Sequence, residues 1–488
     1  MSKVLLINPP FNISKAKYQT SINMGLLCLA SYLDKHGIEV KIIDCIRQKN
    51  SKDLIKKELI KGGICLIGLS VTIMQVDSAL KISEAIKSFN SEMPIIWGGA
   101  HATLFPKQTA GHSLIDVAVL GEGEKTLLEL VDVFNNKRNL DNVLGIAFKG
   151  DNEVVVNKNR DFLPSEEFCS LNWSLMSEEI LQEITLVPAY TSRGCPHKCS
   201  FCINSITRNH WRSYSVDNVL DDLENMLKLS YFKNKPFRFW DEDFFVDIDR
   251  AKNIVQGIID RKFDIQWETT IRADYIREGR IDDEFLFLLK KSGCYLLSFG
   301  GESGSLRVLN HINKGITPDQ IINSAKKTLK YQIIPQYSFM VGLPGEKRED
   351  ILKTIHLIDE LVNLSTSVQI LGPQPFRPYP GSILYDECLS SGWSMPKELN
   401  KLARLVKDEL NYLSLSNFPW IKDVDLVESL EAYVRFGAHS VRSALGSTVK
   451  SNKLLKLIFI LVCQIRWEFK FFKWPIEFKL AKRLIAKT

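Results

Sequence analysis

Three cysteines lie close together near the middle of the chain, in the stretch Arg193-Gly194-Cys195-Pro196-His197-Lys198-Cys199-Ser200-Phe201-Cys202. Three residues separate the first pair, and two separate the second. Closely spaced cysteine thiolates hold iron–sulfur clusters, and a [4Fe–4S] cube normally takes four of them. A site with only three thiolates leaves one iron without a protein ligand, so that this iron can bind a small molecule. The spacing therefore predicts an open-iron cluster, and we place the chemistry of the protein there.

A structural zinc site is the alternative explanation for these cysteines. Such a site needs a fourth ligand and usually has a second ligand pair. The remaining cysteines are scattered singly, at positions 28, 45, 65, 169, 294, 388 and 463. His197 or His210 could complete a tetrahedral site, so zinc stays open at this point. Three inert cysteines in a buried strand fit less well, because the Gly, Pro, His and Lys residues around them favour a polar turn.

The stretch resembles the signature of the radical S-adenosylmethionine (SAM) superfamily, Cys-x-x-x-Cys-x-aromatic-Cys, with Phe201 as the aromatic residue. The resemblance implies that Cys195, Cys199 and Cys202 hold a [4Fe–4S] cluster and are the catalytic residues. It also implies that SAM chelates the fourth iron through its amino and carboxylate groups. One electron from the cluster would then cleave SAM into methionine and a 5′-deoxyadenosyl radical.

The bulk composition is that of an ordinary folded protein. A chain of 488 residues should contain two or three domains. The apolar and charged fractions of 45% and 25% exclude a disordered chain and a multi-pass membrane protein. A net charge of +6 is too small for a general nucleic-acid binder, so we expect no nucleic-acid partner. Cysteines without disulfide-scaffold spacing, and an N-terminus without a signal peptide's apolar core, predict a cytoplasmic protein.

Residues 1–160 alternate short apolar runs with helical patterns, which favours a doubly wound parallel sheet. The expected strands cover residues 3–10, 39–45, 64–72, 94–100 and 116–121, followed by a hairpin over 142–157. Ligands of such sheets bind outside the carboxyl ends of the strands. Small residues at these ends let a bulky ligand approach the backbone, although tight turns without a ligand would look the same.

The same strand ends resemble the cobalamin-binding domain that precedes the radical SAM core in one large subfamily. The resemblance implies cobalamin contacts from Pro9, Pro10, Ser70, Thr72, Gly98, Gly99, His101, Gly121, Glu122 and Gly123. The Asp-x-His-x-x-Gly motif is absent, and residues 11–23 contain no histidine, so no imidazole of this loop would ligate cobalt from below. The alternative is a domain that kept the fold and lost the cofactor. His101 suits either a ligand pocket or a helix cap.

A connector over residues 161–185 leads into a second βα series over residues 186–390. The expected strands cover residues 186–192, 237–245, 265–271, 295–300, 336–342 and 368–375. Six such units fit the partial (β/α)6 barrel of the radical SAM superfamily, whose active site lies at the carboxyl ends of the strands. The resemblance of these ends to the family's motifs implies SAM contacts from Phe201, Asp241, Glu242, Arg272, Glu302, Ser303 and Gly342. Taken singly, each acidic or glycine-rich end would also suit a helix cap.

Residues 391–488 are mostly helical in pattern and are predicted to form a helical C-terminal domain. From Ser451 onward, nine Lys and Arg residues stand against Glu468 and Glu477. The segment Leu454–Leu484 mixes these cations with Leu, Ile, Phe and Trp, which suits an amphipathic segment on an anionic membrane surface or one reaching a lipid substrate. A terminal helix packed on the barrel with its basic face in water is the alternative.

The resemblance as a whole implies a cobalamin-dependent radical SAM enzyme, in particular a C-methyltransferase that acts on an unactivated carbon. An oxidoreductase or cyclase with the same two cofactors is the first alternative. A methylthiotransferase is disfavoured because that family has a second cysteine triad, whereas Cys28, Cys45 and Cys65 are not clustered. A non-catalytic zinc-binding module is also disfavoured. The expected partners are a small-molecule or lipid substrate and an external electron donor.

Overall fold

The computed structural model describes residues 3–11, 22–207, 210–407, 414–438 and 453–485, without the side chains of 453–456 and 482–485. Most of the histidine-free loop at 11–23 therefore lies outside the described residues. The chain divides into two compact units. The first consists of residues 1–194, 206–238 and 394–414, and the second of residues 195–205, 239–393 and 415–488.

The strands and helices alternate through most of the chain. The strands are β1 (Lys3–Asn8), β2 (Glu39–Asp44), β3 (Ile64–Ser70), β4 (Ile95–Gly98), β5 (Val117–Val119), β6 (Ile146–Lys149), β7 (Val154–Val156), β8 (Val187–Ala189), β9 (Ser192–Arg193), β10 (Arg212–Ser213), β11 (Phe237–Phe239), β12 (Trp267–Ile271), β13 (Cys294–Glu302), β14 (Ile334–Val341) and β15 (Gln369–Pro375). The helices are α1 (Met24–Lys35), α2 (Ser51–Lys61), α3 (Val76–Phe89), α4 (Ala100–Leu104), α5 (Pro106–Ala110), α6 (Glu124–Asn136), α7 (Glu178–Glu183), α8 (Asn204–Thr207), α9 (Val216–Lys228), α10 (Ile248–Asp260), α11 (Asp283–Lys291), α12 (Leu306–His311), α13 (Pro318–Lys330), α14 (Arg348–Leu364), α15 (Ile383–Ser390), α16 (Leu399–Lys407), α17 (Val424–Tyr433), α18 (Lys453–Glu468) and α19 (Ile476–Ile485).

Side-chain caps fix where many of these helices begin. Asp247, Asp282 and Ser215 each accept a hydrogen bond from a backbone N–H in the first turn of the helix that follows them. Thr317 and Gln320 form a reciprocal capping box at α13, with Pro318 at the first helical position. These caps follow from residue type, because Asp, Ser and Thr side chains accept hydrogen bonds from the free N–H groups of a helix's first turn.

The first sheet confirms the predicted doubly wound architecture. Its strand order is β2-β1-β3-β4-β5-β6-β7, parallel from β2 to β5, with the final hairpin antiparallel. The chain reverses direction across the sheet between β1 and β3, which creates a crevice at the carboxyl ends of those two strands. Trp97 lies fully buried in the core of this sheet, and its indole N–H donates to Ser83 Oγ at 3.0 Å.

Helix α16 lies outside the grouping predicted for residues 391–488. Its apolar face (Leu399, Leu402, Ala403 and Val406) belongs to the same core cluster as β1, β3 and α3. An amphipathic pattern shows that a helix will pack but does not show against which sheet, so this contact could not be predicted from sequence. The predicted limits near residues 160, 185 and 390 stay predictions.

The second sheet has six strands in the order β15-β14-β13-β12-β11-β8, which fits the predicted partial barrel. Strands β12 to β15 pair in parallel, with Ile271 opposite Phe299 and Phe299 opposite Tyr337. The strand predicted over 237–245 ends at Phe239. Asp243 turns the chain there by accepting a hydrogen bond from the Phe245 N–H, and Phe244 and Phe245 are fully buried.

The C-terminal part of the second unit is helical, as predicted, in α17, α18 and α19. Within the described residues, every helix is too short or too polar to cross a bilayer.

We predict that Leu402→Ala destabilises the first unit by about 2–5 kcal/mol, because it opens a cavity in the core that α16 shares with β3. Hydrogen exchange should rise in β3 and β4, and unfolding by urea should shift to lower denaturant. Lys401→Ala, on the exposed face of the same helix, should change stability by less than about 0.5 kcal/mol. Unchanged exchange in β3 for Leu402→Ala would contradict the assignment of α16 to this core.

Candidate active site

The three cysteines lie on one loop at the start of the second unit, and hydrogen bonds hold that loop. The Ser200 N–H donates to the Ile312 carbonyl at 2.9 Å, and Asn313 Nδ2 donates to the Lys198 carbonyl at 2.8 Å. Within the loop, the Cys202 N–H donates to the Cys199 carbonyl at 3.1 Å. Segment 312–313 is therefore a scaffold that fixes the cysteine loop.

The chemistry of the three thiols suits a cluster that binds thiolates. Burial, with smaller contributions from the nearby charges of Asp243, Cys199 and Cys202, raises the pKa of the Cys195 thiol to about 12. Burial also raises the pKa of Cys202. Backbone N–H groups of His197 and Asn204 point at these two sulfurs and favour the thiolates. An iron–sulfur cation would replace the protons, because metal binding to thiols releases them.

The spacing of the ligand atoms bears on the zinc alternative. Tetrahedral coordination with Zn–S distances near 2.3 Å brings sulfurs to about 3.8 Å from one another. In the part of the chain that the structure describes, one group of three His, Cys, Asp or Glu ligand atoms lies within 4.8 Å, and it consists of Cys195, His197 and Asp243. The sulfurs of Cys195, Cys199 and Cys202 do not all lie within that distance of one another, so the three cysteines do not form a closed tetrahedral set in this structure.

His197 and Asp243 are joined through Tyr275 beside Cys195. The Tyr275 hydroxyl donates to Asp243 Oδ2 at 2.9 Å and lies 2.7 Å from His197 Nε2. Burial, together with the Asp243 carboxylate, raises the pKa of Tyr275. Because all three polar groups already have partners in one another, they act as supports of the cysteine loop.

A buried ion pair lies next to the cysteine loop. Lys314 Nζ is 2.8 Å from Glu302 Oε1, with both side chains about nine-tenths buried. Lys314 Nζ also lies 5.9 Å from the centre of the Phe201 ring, and Arg272 donates to the Lys314 carbonyl at 2.7 Å. Burial lowers the pKa of Lys314, but the charges of Glu302 and Cys199 raise it above its usual value. The predicted residues Phe201, Arg272 and Glu302 thus come together around a lysine.

Two glycines permit this arrangement. A Cβ on Gly300 would lie 2.4 Å from Glu302 Oε1 and 2.5 Å from Lys314 Nζ, so no side chain fits there. A Cβ on Gly304 would lie 2.3 Å from the Lys353 carbonyl of α14. Glu302 itself has a positive φ of 61°, which only a strongly held residue adopts.

Ser303 lies in a different environment from Glu302. It is fully buried, its Oγ is 3.1 Å from Thr354 Oγ1, and it accepts the Ser305 N–H. Ser305 donates in turn to Asp350 at 2.6 Å. These contacts give Ser303 a structural role in tying the loop to α14, and its hydroxyl is already engaged.

Gly342 directly follows β14 and is likewise engaged by protein groups. Its N–H donates to Glu346 Oε2 at 2.6 Å, and its carbonyl accepts the Trp420 indole N–H at 2.8 Å. A φ of 75° explains the glycine. Burial raises the pKa of Glu346 to about 7, and its Oε1 is buried without a partner among the described residues.

The predicted acidic residues after β11 lie at the same end of the sheet. Asp241 is buried, and its carbonyl accepts a hydrogen bond from Thr270 Oγ1 at 2.7 Å. Glu242 is partly exposed. Arg272 pairs with Asp274 at 2.9 Å, so it already has a carboxylate partner two residues along the chain.

In the first unit, a polar network joins the carboxyl ends of β1 and β3. Gln75 Nε2 donates to Asn8 Oδ1 at 3.0 Å and to the Pro9 carbonyl at 2.6 Å. Gln75 also accepts the Thr72 hydroxyl, and Asn23 donates to Ser70 Oγ at 3.1 Å. Three of the predicted cobalamin residues therefore surround the crevice between these strands, next to the partly buried Pro10.

His101 is the polar group at this edge that most clearly points to a ligand. Its side chain is 1% exposed, and neither ring nitrogen has a partner in the described structure. Burial lowers the pKa of His101 to about 4, so the ring is neutral. Gly98 and Gly99 precede it, and a Cβ on Gly99 would meet the Val71 backbone at 3.0 Å. These residues fit a ligand that accepts or donates hydrogen bonds at the sheet edge.

The loop after β5 is fixed by ion pairs. Glu122 binds Arg212 with contacts of 2.7 and 2.9 Å and accepts the Leu163 N–H. Burial raises the pKa of Glu122, but Arg212 and Arg193 lower it below its usual value. Gly121 and Gly123 flank it, with a φ of 71° at Gly121. Glu122 thus orients the loop and has its charge satisfied by the protein.

Comparison with known families gives two matches. The family model for the radical SAM superfamily matches residues 190–358, and the model for the B12 binding domain matches residues 14–131. The uncharacterized methyltransferase PH0819 of Pyrococcus horikoshii is 30% identical over 399 residues, which are 80% of this chain and 83% of the relative. The chain belongs to the B12-binding radical SAM superfamily.

One further relative and one solved structure are also similar to this chain. Cytidylyl-2-hydroxyethylphosphonate methyltransferase of Streptomyces wedmorensis is 26% identical over 81% of this chain and 83% of the relative. The structure of the radical SAM methyltransferase TsrM from Kitasatospora setae, with tryptophan and a SAM analogue bound, superposes with a TM-score of 0.68. It is 19% identical and covers 81% of this chain and 78% of TsrM, and this likeness shows the fold.

Several residues of this radical SAM site were missed by the sequence analysis. Lys314, Tyr275 and Asp243 had no motif that assigned them a role, although Lys314-Gly315 follows the acidic segment at a short distance. Asn8 and Gln75 were missed because amide networks leave no spacing signal.

We predict that Lys314→Met destabilises the second unit by about 3–5 kcal/mol, because it leaves the Glu302 carboxylate buried without a partner. Adding Glu302→Gln should recover most of this loss, as measured by anaerobic urea unfolding of the cofactor-free protein. Lys330→Met, which breaks the exposed pair with Asp283, should change stability by less than about 0.5 kcal/mol. Equal loss in the single and double variants would contradict a coupled pair.

The raised pKa of Glu346 predicts a pH-dependent stability. The folded state favours the protonated carboxyl, so this contribution is complete below the ordinary pKa near 4.5 and is lost as pH rises to about 7. Glu346→Gln should therefore gain stability relative to the wild type between pH 5 and 8, by on the order of 1–3 kcal/mol. Melting curves of both proteins across this range measure it, and a constant difference would contradict the assignment.

Proposed function

We propose that this protein is a cobalamin-dependent radical SAM C-methyltransferase that acts on an unactivated carbon. The observation that carries the proposal is the loop of three cysteines within the region that matches the radical SAM superfamily, in a chain with a B12-binding domain. The similarity to PH0819 and to the phosphonate methyltransferase favours methyl transfer over ring formation or oxidation.

The residues of the second unit have distinct roles in this proposal. Cys195, Cys199 and Cys202 hold the cluster, and Lys314, Glu302 and Phe201 form a fixed wall beside it. When bound, the cluster supplies the electron that splits SAM, and cobalamin supplies the methyl group. The protein's own contribution is to position these groups and to keep charge compensated in a buried site.

Apart from Phe201, which belongs to the wall beside the cluster, the predicted SAM residues divide into two groups. Asp241, Glu242, Arg272 and Glu302 have charged groups near the cysteine loop or at the same strand ends, and we propose that they contact SAM. Ser303 and Gly342 hold the backbone in shape, as their hydrogen bonds to Thr354, Glu346 and Trp420 indicate.

In the first unit, we propose that cobalamin lies in the crevice between the ends of β1 and β3. Pro9, Pro10, Ser70 and Thr72 would form one side, and Gly98, Gly99 and His101 the other. Gly121, Glu122 and Gly123 would close the edge after β5. The unpartnered ring nitrogens of His101 support this placement.

The remaining parts of the proposal concern partners and location. The substrate is a small molecule or a lipid, an external donor supplies the electron, and nucleic acid is not a partner. The enzyme works in the cytoplasm.

We predict that Cys199→Ala abolishes cluster binding and 5′-deoxyadenosine production, because two thiolates cannot hold a [4Fe–4S] cube. Protein purified anaerobically with cobalamin should lose about 90% or more of its iron and its reduced-cluster electron paramagnetic resonance signal. Cys388→Ala removes another buried cysteine and should leave both unchanged. Purification of the wild type with zinc and without iron would contradict the proposal.

Methyl transfer can be separated from cyclisation by its product. With SAM carrying a deuterated methyl group, the product of a methyltransferase contains that group. A cyclase consumes SAM and leaves the label in methionine.

A further inference from the structure

One face of the C-terminal segment is firmly attached to the second unit. Cys463 and Trp467 of α18 are buried against Gly437, where an added Cβ would lie 2.6 Å from the Cys463 carbonyl. The Trp467 indole N–H donates to Asp359 at 2.8 Å. Arg466 pairs with Glu477 at 2.7 Å, which ties α18 to α19. The segment is therefore a folded part of the unit with a defined inner and outer side.

The outer side is apolar. Leu457, Ile458, Leu461 and Ile465 are exposed at helical spacing along one face of α18. Beyond it, Phe469 is 75% exposed and Trp474 is 72% exposed. Twenty large apolar side chains are exposed in the described structure, and nine of them fall between residues 457 and 480. Besides the six side chains just named, these nine include Phe471, Ile476 and Leu480. We call these nine side chains the C-terminal face. So large an exposed apolar cluster marks an interaction site.

The charges near this face indicate the chemistry of its partner. Nine Lys and Arg residues follow Ser451, against two acidic residues. Among those whose side chains the structure describes, Arg466 pairs with Glu477, Lys470 with Asp359 and Lys479 with Asp425. Lys473 lies between Phe469 and Trp474, is exposed, and has no ion-pair partner among the described residues. A partner that is apolar inside and anionic outside satisfies both features. A second copy of this chain would bring the same cations together and would be repelled.

We infer that the C-terminal face docks on the surface of an anionic phospholipid bilayer. The exposed Trp and Phe side chains of this face would enter the boundary between headgroups and acyl chains, and Lys473 would meet the lipid phosphates. α18 and α19 would lie in the plane of the membrane, since each is too short or too polar to cross it. The inference does not depend on the proposed methyl transfer, because docking can be measured without substrate or cofactors.

The test is flotation of the full-length protein with vesicles of phosphatidylcholine alone or mixed with phosphatidylglycerol. The wild type should float with the mixed vesicles, and added salt should release it because salt screens the attraction. Phe469→Ala combined with Trp474→Ala should reduce the partition coefficient about tenfold or more, since two exposed aromatic side chains no longer enter the bilayer. Lys473→Glu should reduce it roughly tenfold on mixed vesicles only.

Phe287→Ala is the matched control. Phe287 is an aromatic residue of α11 that is 57% exposed, and its loss should change binding by less than about twofold. All variants should keep the wild-type melting temperature, because each side chain is exposed. A wild type that stays in solution with both kinds of vesicle would overturn the inference. So would a dimer in light scattering that Leu461→Asp dissociates, because a second copy would then cover the face.

Discussion

A buried ammonium group needs a compensating charge. In the second unit, the residues around Lys314 are placed so that its ammonium group has one. Leaving such a group unpaired costs several kcal/mol. Glu302 supplies the charge only because its backbone adopts a positive φ and because Gly300 leaves room beside it. Arg272 then binds the Lys314 carbonyl, and the neighbouring residues 312 and 313 bind the cysteine loop. The strand ends, Gly300 and the cysteine loop are therefore all connected to the ion pair of Lys314 and Glu302.

The first unit follows the same principle with other groups. Its strand ends carry an amide network around Asn8 and ion pairs at Glu122 and Glu124, all largely buried. Burial raises the pKa of Asp44, whose carboxyl accepts hydrogen bonds from Asn8 and Ile46. Nearly every polar group there is satisfied internally, which makes the unpartnered nitrogens of His101 conspicuous. A sheet edge that is rigid without its ligand can bind a large cofactor with little loss of entropy.

Much of this could be predicted from sequence, because periodicity and cysteine spacing are local signals. The strands of the first sheet begin and end within a few residues of their predicted bounds. Ser303 and Gly342 show the limit: a motif identifies which residues matter, but both contribute backbone shape, and the groups they bind lie on distant helices or loops. Lys314 was missed because its partner is twelve residues away and is reached through an irregular backbone. The packing of α16 depends on tertiary contacts that no periodicity encodes.

The cysteine loop is held in place by groups other than its own thiols. Burial keeps the Cys195 and Cys202 thiols protonated when no cation is present, so the thiols do not attract or organise one another. Hydrogen bonds from segment 312–313, and the His197, Tyr275 and Asp243 group on the other side, hold the loop instead. Cluster binding by these cysteines, as we propose it, would require loss of protons but little movement of the chain. The charge of Lys314 acts to lower the pKa of the Cys202 thiol, against the effect of burial, so the lysine that pairs with Glu302 would also favour the thiolate of a proposed cluster ligand.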